Sequence, residues 1–126
     1  MSLRVLLVED NQLNADLVTA ILGREGHAVE VLPDGAALRA RLAHAPPDLV
    51  LMDILLPDTD GITLAEELRA RAGWTLVPLV AVTAQALAGD RERFLLAGFR
   101  EVVIKPIDTR TLSAVVERLA CRAAAH

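Results

Sequence analysis

The chain has 126 residues, 53% of them hydrophobic and 24% charged, which is enough apolar material for one domain with a core of its own. Thirteen basic against 17 acidic residues give a net charge of −4, and two Phe, one Trp and no Tyr supply few rings, so the basic surface and stacking platforms that hold nucleic acid are both missing. No apolar run approaches the roughly 20 residues of a membrane span, and the chain opens on a strand pattern rather than a signal, so a cytoplasmic protein with no membrane or nucleic-acid partner is expected.

The first apolar run, RVLLV at 4–8, reads as a strand and stops at Glu9, Asp10 and Asn11. Leu13, Leu17, Val18, Ile21 and Leu22 then recur at helical spacing up to Gly26. AVEVL at 28–32 is a second strand, and its Glu30 between apolar neighbours suits a sheet edge. Weaker helical spacing around Leu38 and Leu42 ends at Pro46 and Pro47, and DLVLM at 48–52 runs into Asp53. A third helix carries Leu64 and Leu68 and closes near Gly73; LVAV at 79–82 follows Pro78 and ends at Thr83. Phe94 and Ala97 mark a fourth helix before Gly98, EVVI at 101–104 ends at Lys105 and Pro106, and Leu112, Val115, Val116 and Leu119 line a fifth helix.

Strict alternation of strand and helix predicts parallel strands joined by right-handed crossovers, with the near-continuous apolar runs of strands one, three and four buried on both faces. The expected fold is a single α/β domain over 1–126, a doubly wound five-stranded parallel sheet with five helices in the flavodoxin-like order 2-1-3-4-5. Cys121 has no partner for a disulfide and is expected to be a buried or half-buried hydrophobe of the last helix. His27, His44 and His126 lack metal-ligand spacing and are expected as exposed residues of loops or the terminus.

In a sheet of this order the ligand crevice lies beyond the carboxyl ends of strands one and three. Glu9 and Asp10, Asp53, Thr83, and Lys105 with Pro106 are delivered to that edge by four different strands. Singly, each has a bland reading as a helix cap, a turn residue or a solvated charge. Together, three carboxylates in one crevice repel one another, which a hard divalent cation with oxygen ligands relieves; Mg²⁺ also keeps waters that a phosphoryl oxygen can replace.

The stretches EDNQLN, PDTDG after Asp53, VTAQALAGD and KPID, in that order over most of the chain, resemble the receiver domain of the two-component response-regulator family, in particular receivers that stand alone or are fused to hybrid histidine kinases. The resemblance implies Asp53 as phosphoacceptor, and Asp10, Asp53 and the Leu55 carbonyl as ligands of Mg²⁺, with Glu9 acting through water. It further implies Lys105 as the cation for the phosphoryl oxygens, paired with Asp53 at rest, and Thr83 as the hydroxyl donor. Ala84 is expected to keep the mouth of the site open, a cis bond is implied before Pro106, and Pro57 is expected to stiffen the metal-binding loop and Gly61 to allow the turn into the third helix. The implied partners are a histidine kinase or histidine phosphotransferase and an effector bound through the face of helix four, strand five and helix five. With 126 residues taken up by the receiver, output is expected from another protein or from the rest of a longer chain.

Val102 stands where the family often has an aromatic residue that turns inward on phosphorylation. Being short and stiff at χ1, it is expected to leave strand five nearly passive, with the loop after Thr83 and residues 85–90 carrying most of the change. Three other readings compete. A phosphohydrolase with an aspartyl nucleophile needs an acid where Leu55 stands, a dinucleotide binder needs a Gly-rich loop where EDNQLN stands, and a receiver used only as an interaction module has no need of Asp53 and Lys105.

Overall fold

The computed structural model describes residues 2–84 and 87–124. Ten elements alternate along the chain: β1 (Arg4–Val8), α1 (Gln12–Arg24), β2 (Ala28–Leu32), α2 (Gly35–Arg41), β3 (Leu49–Asp53), α3 (Gly61–Arg69), β4 (Leu79–Thr83), α4 (Asp90–Ala97), β5 (Phe99–Ile104) and α5 (Thr109–Ala124). The strands form one sheet in the order β2-β1-β3-β4-β5, every neighbouring pair parallel, as the alternation predicts.

Side chains that alternate along each strand feed two separate apolar layers. Val5, Leu7, Leu49, Leu51, Val80, Val82 and Val103 pack with α1 and α5 on one face. Leu6, Val8, Val50, Met52, Leu79, Ala81 and Phe99 pack with α2, α3 and α4 on the other. Every residue of β3 and β4 is buried, so these strands are rigid rods whose last residues are held at fixed height. At about 1.5–3 kcal/mol for each large apolar side chain removed from water, the two layers dominate the stability of the domain. The single tryptophan, Trp74, is buried at the opposite end of the sheet from the crevice, donating to the His44 carbonyl (3.3 Å) beneath the Arg41 guanidinium.

Local chemistry sets where the helices start. Asn11, Asp34 and Asp60 accept from backbone N–H groups three residues on and cap α1, α2 and α3; Asp108 does the same for Thr111 at the start of α5. Gly98, at φ +113°, ends α4 in the left-handed region.

The structure corrects some residue-level expectations. Leu13 and Leu17 lie on α1 but are 80% and 40% exposed, because Ala15, Val18, Ile21 and Leu22 form the inward arc. At roughly 100° per residue Leu13 lies about 140° around the helix from Val18. β5 begins at Phe99, two residues earlier than EVVI, since an irregularity at Leu79/Val80 pairs Leu79 with Phe99 and Val80 with Glu101, letting Arg100 loop past the ladder. His27 is half-buried rather than a free loop residue, its Nδ1 accepting from the Leu3 N–H at 3.0 Å. His126, Gln85 and the side chain of Cys121 lie outside the described residues.

Candidate functional site

The crevice forms where buried strands stop. β1 is followed by Glu9, whose backbone N–H still extends the ladder to the Leu32 carbonyl (2.9 Å) and whose side chain is therefore turned into the protein, 3% exposed. Asp10, one residue on, is exposed at the mouth. β3 and β4 carry Asp53 and Thr83 as their last residues, both 6% exposed. β5 ends at Ile104, and the Lys105 N–H donates to the Thr83 carbonyl at 2.7 Å, which brings the lysine across β4 toward Asp53. The Lys105–Pro106 bond is cis.

The Lys105 ammonium lies 2.9 Å from Asp53 Oδ2 and 3.0 Å from Glu9 Oε1. The pairing with Asp53 that the resemblance implies is present, and Glu9 shares the ammonium. Asp53 Oδ1 accepts from the Leu55 N–H (3.1 Å), and Glu9 Oε2 from the Asn11 N–H (3.4 Å). One oxygen from each of Glu9, Asp10 and Asp53 lies within 4.8 Å of the others. Three carboxylates with one ammonium make an electron-rich, undercompensated set of hard oxygen donors, which fits a divalent cation such as Mg²⁺.

The imbalance shows in the acids. The Glu9 carboxyl is pushed up to about 7, first by burial and then by hydrogen bonding with Asp53 and the Asp53 charge, with Lys105 opposing only in part. Burial pulls the Lys105 ammonium down, but its hydrogen bonds to Asp53 and Glu9 and their charges outweigh this and leave it raised. Between the ordinary Glu9 value of 4.5 and about 7 the folded protein holds a proton that the unfolded chain has lost. Stability contributed by this group therefore falls as pH rises through that window. Asp58, Asp60 and Asp108 have lowered values, and what they contribute is lost only as pH falls below 3.8. Melting curves of chelator-treated protein are expected to decline from pH 4.5 to pH 7, with Glu9→Gln removing most of the decline; parallel slopes in the two proteins would contradict it.

The loop after Asp53 is built by close approach. The Gly61 N–H donates to the Ile54 carbonyl (2.7 Å), and a Cβ on Gly61 would lie 2.9 Å from the Asp53 carbonyl oxygen and 3.0 Å from Ile54 Cα. Glycine is needed here because two backbones touch, and only secondarily for a turn. Leu55 is 75% exposed at the rim and Ala84 is exposed beside Thr83. Sequence reasoning missed the sharing of Lys105 by Glu9, and also Asp58, which takes two backbone N–H groups of α2. The signal available for Asp58 was the first of the two acids in PDTDG, one more than the cap of α3 needs.

A parallel sheet with three acids, a hydroxyl and a lysine gathered at its switch point is the layout of two-component signalling receivers. The chain belongs to the response regulator receiver domain family, a family of signalling switches, whose model matches residues 5–117. It is 36% identical over 118 residues to the signal transduction histidine-protein kinase BarA of Escherichia coli (strain K12), a match that covers 94% of this chain and 13% of that kinase. The chain thus spans about an eighth of the length of that curated relative. The receiver domain of sensor histidine kinase PA1611 of Pseudomonas aeruginosa PAO1, crystallised with a magnesium ion coordinated in the active site cleft, is 35% identical and superimposes with a TM-score of 0.85, over 94% of this chain and 98% of that one. Chemotaxis response regulator CheY4 of Vibrio cholerae shares the fold at 22% identity, with a TM-score of 0.88 over 94% and 99% of the two chains. Among the described residues no helix is long and apolar enough to cross a membrane.

Proposed function

We propose that the chain is a single receiver domain that takes a phosphoryl group onto Asp53 from the phosphohistidine of a histidine kinase or histidine phosphotransferase, and that it catalyses only its own phosphorylation and dephosphorylation. The observation that carries this reading is the Asp53 carboxylate at the end of a buried strand, 2.9 Å from the Lys105 ammonium and beside Glu9 and Asp10. An Asp53 oxygen forms the new bond to phosphorus while the P–N bond of the donor breaks, its electron pair going to the ring nitrogen, and a donor imidazole that already carries a proton on its other nitrogen leaves as the neutral ring. Asp10, Asp53 and the Leu55 carbonyl would hold Mg²⁺, with Glu9 acting through water. The ion, when bound, supplies positive charge to the phosphoryl oxygens.

Lys105 exchanges its carboxylate partner for the transferred phosphoryl oxygens and so stabilises charge where it develops. Thr83, one strand away, donates its hydroxyl to the new group and is drawn toward it, moving the loop that follows. The effector meets the face of α4, β5 and α5, where Leu95 and Ile104 are each 45% exposed. Val102 is half-buried against the α2, α3 and α4 layer and has no ring to turn inward, so the loop after Thr83 carries the change.

The test is labelling by acetyl phosphate, followed by intact mass, with and without Mg²⁺. One phosphoryl group per chain is expected with the metal, and chelation should remove it; labelling that proceeds as fast in chelator would refute the metal-dependent reading.

A further inference from the structure

The two acids of PDTDG have separate jobs. Asp60 caps α3 through the Thr63 N–H at 2.8 Å, while Asp58 reaches 23 residues back in the chain. Its Oδ1 accepts from the Gly35 N–H and its Oδ2 from the Ala36 N–H, both at 2.9 Å, and Asp34 takes the Ala37 N–H at 2.8 Å. Two carboxylates thus divide the unpaired donors of the first turn of α2, and one of them belongs to the loop that leaves the phosphoacceptor. Hydrogen bonds from these N–H groups, Gly35 first, hold the Asp58 carboxyl below its usual range although it is exposed to solvent.

Gly35 confirms that the two segments are fitted to each other. It is buried, and a Cβ placed on it would lie 2.6 Å from Thr59 Cγ2 and 3.2 Å from Asp58 Oδ1. The loop is closed at its base by the Gly61 to Ile54 bond, by a bridge between Leu55 and Asp60, and by the Leu56 N–H on the Thr59 carbonyl at 3.2 Å. The Leu55 side chain, 75% exposed, gives no anchorage. The Leu55 carbonyl shares a peptide unit with the Leu56 N–H, so the Thr59 carbonyl that accepts this N–H aims the Leu55 carbonyl, and Thr59 is in turn held against α2 by its neighbour Asp58 and by its contact with Gly35.

We propose that Asp58 is a positioning residue for the metal: by clamping the tip of the Leu55–Asp60 loop to α2 it fixes the direction of the Leu55 carbonyl, and so sets the affinity of the crevice for Mg²⁺. The inference rests on the functional reading above in taking that carbonyl as a ligand. A carbonyl on an unclamped loop samples several orientations, and the entropy of ordering it then opposes binding. With the clamp, that ordering is completed on folding. The clamp also makes α2, which carries none of the crevice residues, an element that the site depends on.

The experiment is calorimetric titration of Mg²⁺ into metal-free wild-type protein and Asp58→Ala, Asp58→Asn and Gly35→Ala, with melting curves of each and acetyl phosphate labelling across a range of Mg²⁺. The Mg²⁺ dissociation constant is expected to rise roughly 10-fold in Asp58→Ala, at the low end for groups that support metal ligands. Asp58→Asn, which keeps one acceptor oxygen, should fall between. Gly35→Ala pushes the same contact apart from the α2 side and should weaken binding in the same direction. Labelling at saturating Mg²⁺ should approach the wild-type rate, since Asp53 and Lys105 are untouched. Unchanged dissociation constants in Asp58→Ala and Gly35→Ala, whatever their melting temperatures, would overturn the proposal while leaving the phosphoacceptor reading intact. Wild-type protein that binds no Mg²⁺ would remove both.

Discussion

Asp53→Asn protein takes no phosphoryl label from acetyl phosphate at any Mg²⁺ concentration, yet in chelator it melts at or above the wild-type temperature. The loss follows from removing the nucleophile, because an amide has no carboxylate oxygen to form the acyl phosphate. The stability follows from the geometry around Lys105. In the native site one ammonium is shared by two buried carboxylates at 2.9 and 3.0 Å, and the asparagine leaves a one-to-one pair with Glu9. Glu9, relieved of the Asp53 charge and hydrogen bond that help to raise it, can ionise at lower pH. An Asn also keeps an acceptor for the Leu55 N–H. The net change is expected within about 1 kcal/mol of wild type, in the stabilising direction. Adding Mg²⁺ should reverse the order, because the wild type gains from binding the ion and the variant gains less. Melting curves with and without Mg²⁺ check this; an Asn protein that is labelled at the wild-type rate, or that unfolds, would defeat it.

Lys105→Ala has the second large effect, and here stability and chemistry move together. Phosphoryl transfer should drop by about 10²–10³, the usual loss when one group that stabilises developing charge is removed. The Glu9 and Asp53 side chains, 2% and 8% exposed, are left facing each other with no cation between them. At about pH 8 without metal the domain should lose about 3 kcal/mol, the scale of breaking a buried pair by removing one partner. Because the lysine value is raised in the fold, its contribution is present throughout the neutral range and is lost only as pH rises through that raised value. The variant can be rescued in two ways. At about pH 5 Glu9 takes up a proton and the repulsion disappears. Mg²⁺ restores positive charge among the same oxygens. Melting curves in the four combinations of pH and metal are the measurement, and a variant as stable as wild type at the higher pH in chelator would show that Lys105 does not compensate these acids.

Much of the architecture could be read directly from residue order. β1 and β2 begin and end where RVLLV and AVEVL do, and β4 adds only Thr83 to LVAV, because an apolar run interrupted by a polar residue marks a strand by itself. The 2-1-3-4-5 order follows from continuous burial of β3 and β4 and from Glu30 on the edge. Glu9, Asp10, Asp53, Thr83 and Lys105 were legible for the same reason, since each follows or ends such a run and a parallel sheet delivers all those ends to one side. Less legible was the facing of individual residues on short or mixed helices. Leu13 and Leu17 repeat at helical spacing with Ile21, but the inward arc of α1 is centred on Val18, and only the sheet beneath it selects that arc.

What the sequence by itself determined is the local part: strand and helix periods, the Asn and Asp caps, and the set of polar residues at strand ends, all governed by interactions reaching a few residues along the chain. The tertiary structure alone decided which of those polar residues share a charge and which brace a loop. Lys105 meets Asp53 across 52 residues, and Asp58 meets Gly35 across 23. Glu9 joins the first pair only because β1 and β3 are neighbours in the sheet. Such contacts depend on Cβ directions and on separations of a few ångströms, at which the strength of a charge pair changes steeply, and no periodicity in the chain encodes them. Asp58 and Asp60, two residues apart in one acidic stretch, show the division: their spacing marks a loop and a cap, and the packing of α2 against that loop gives Asp58 its separate role.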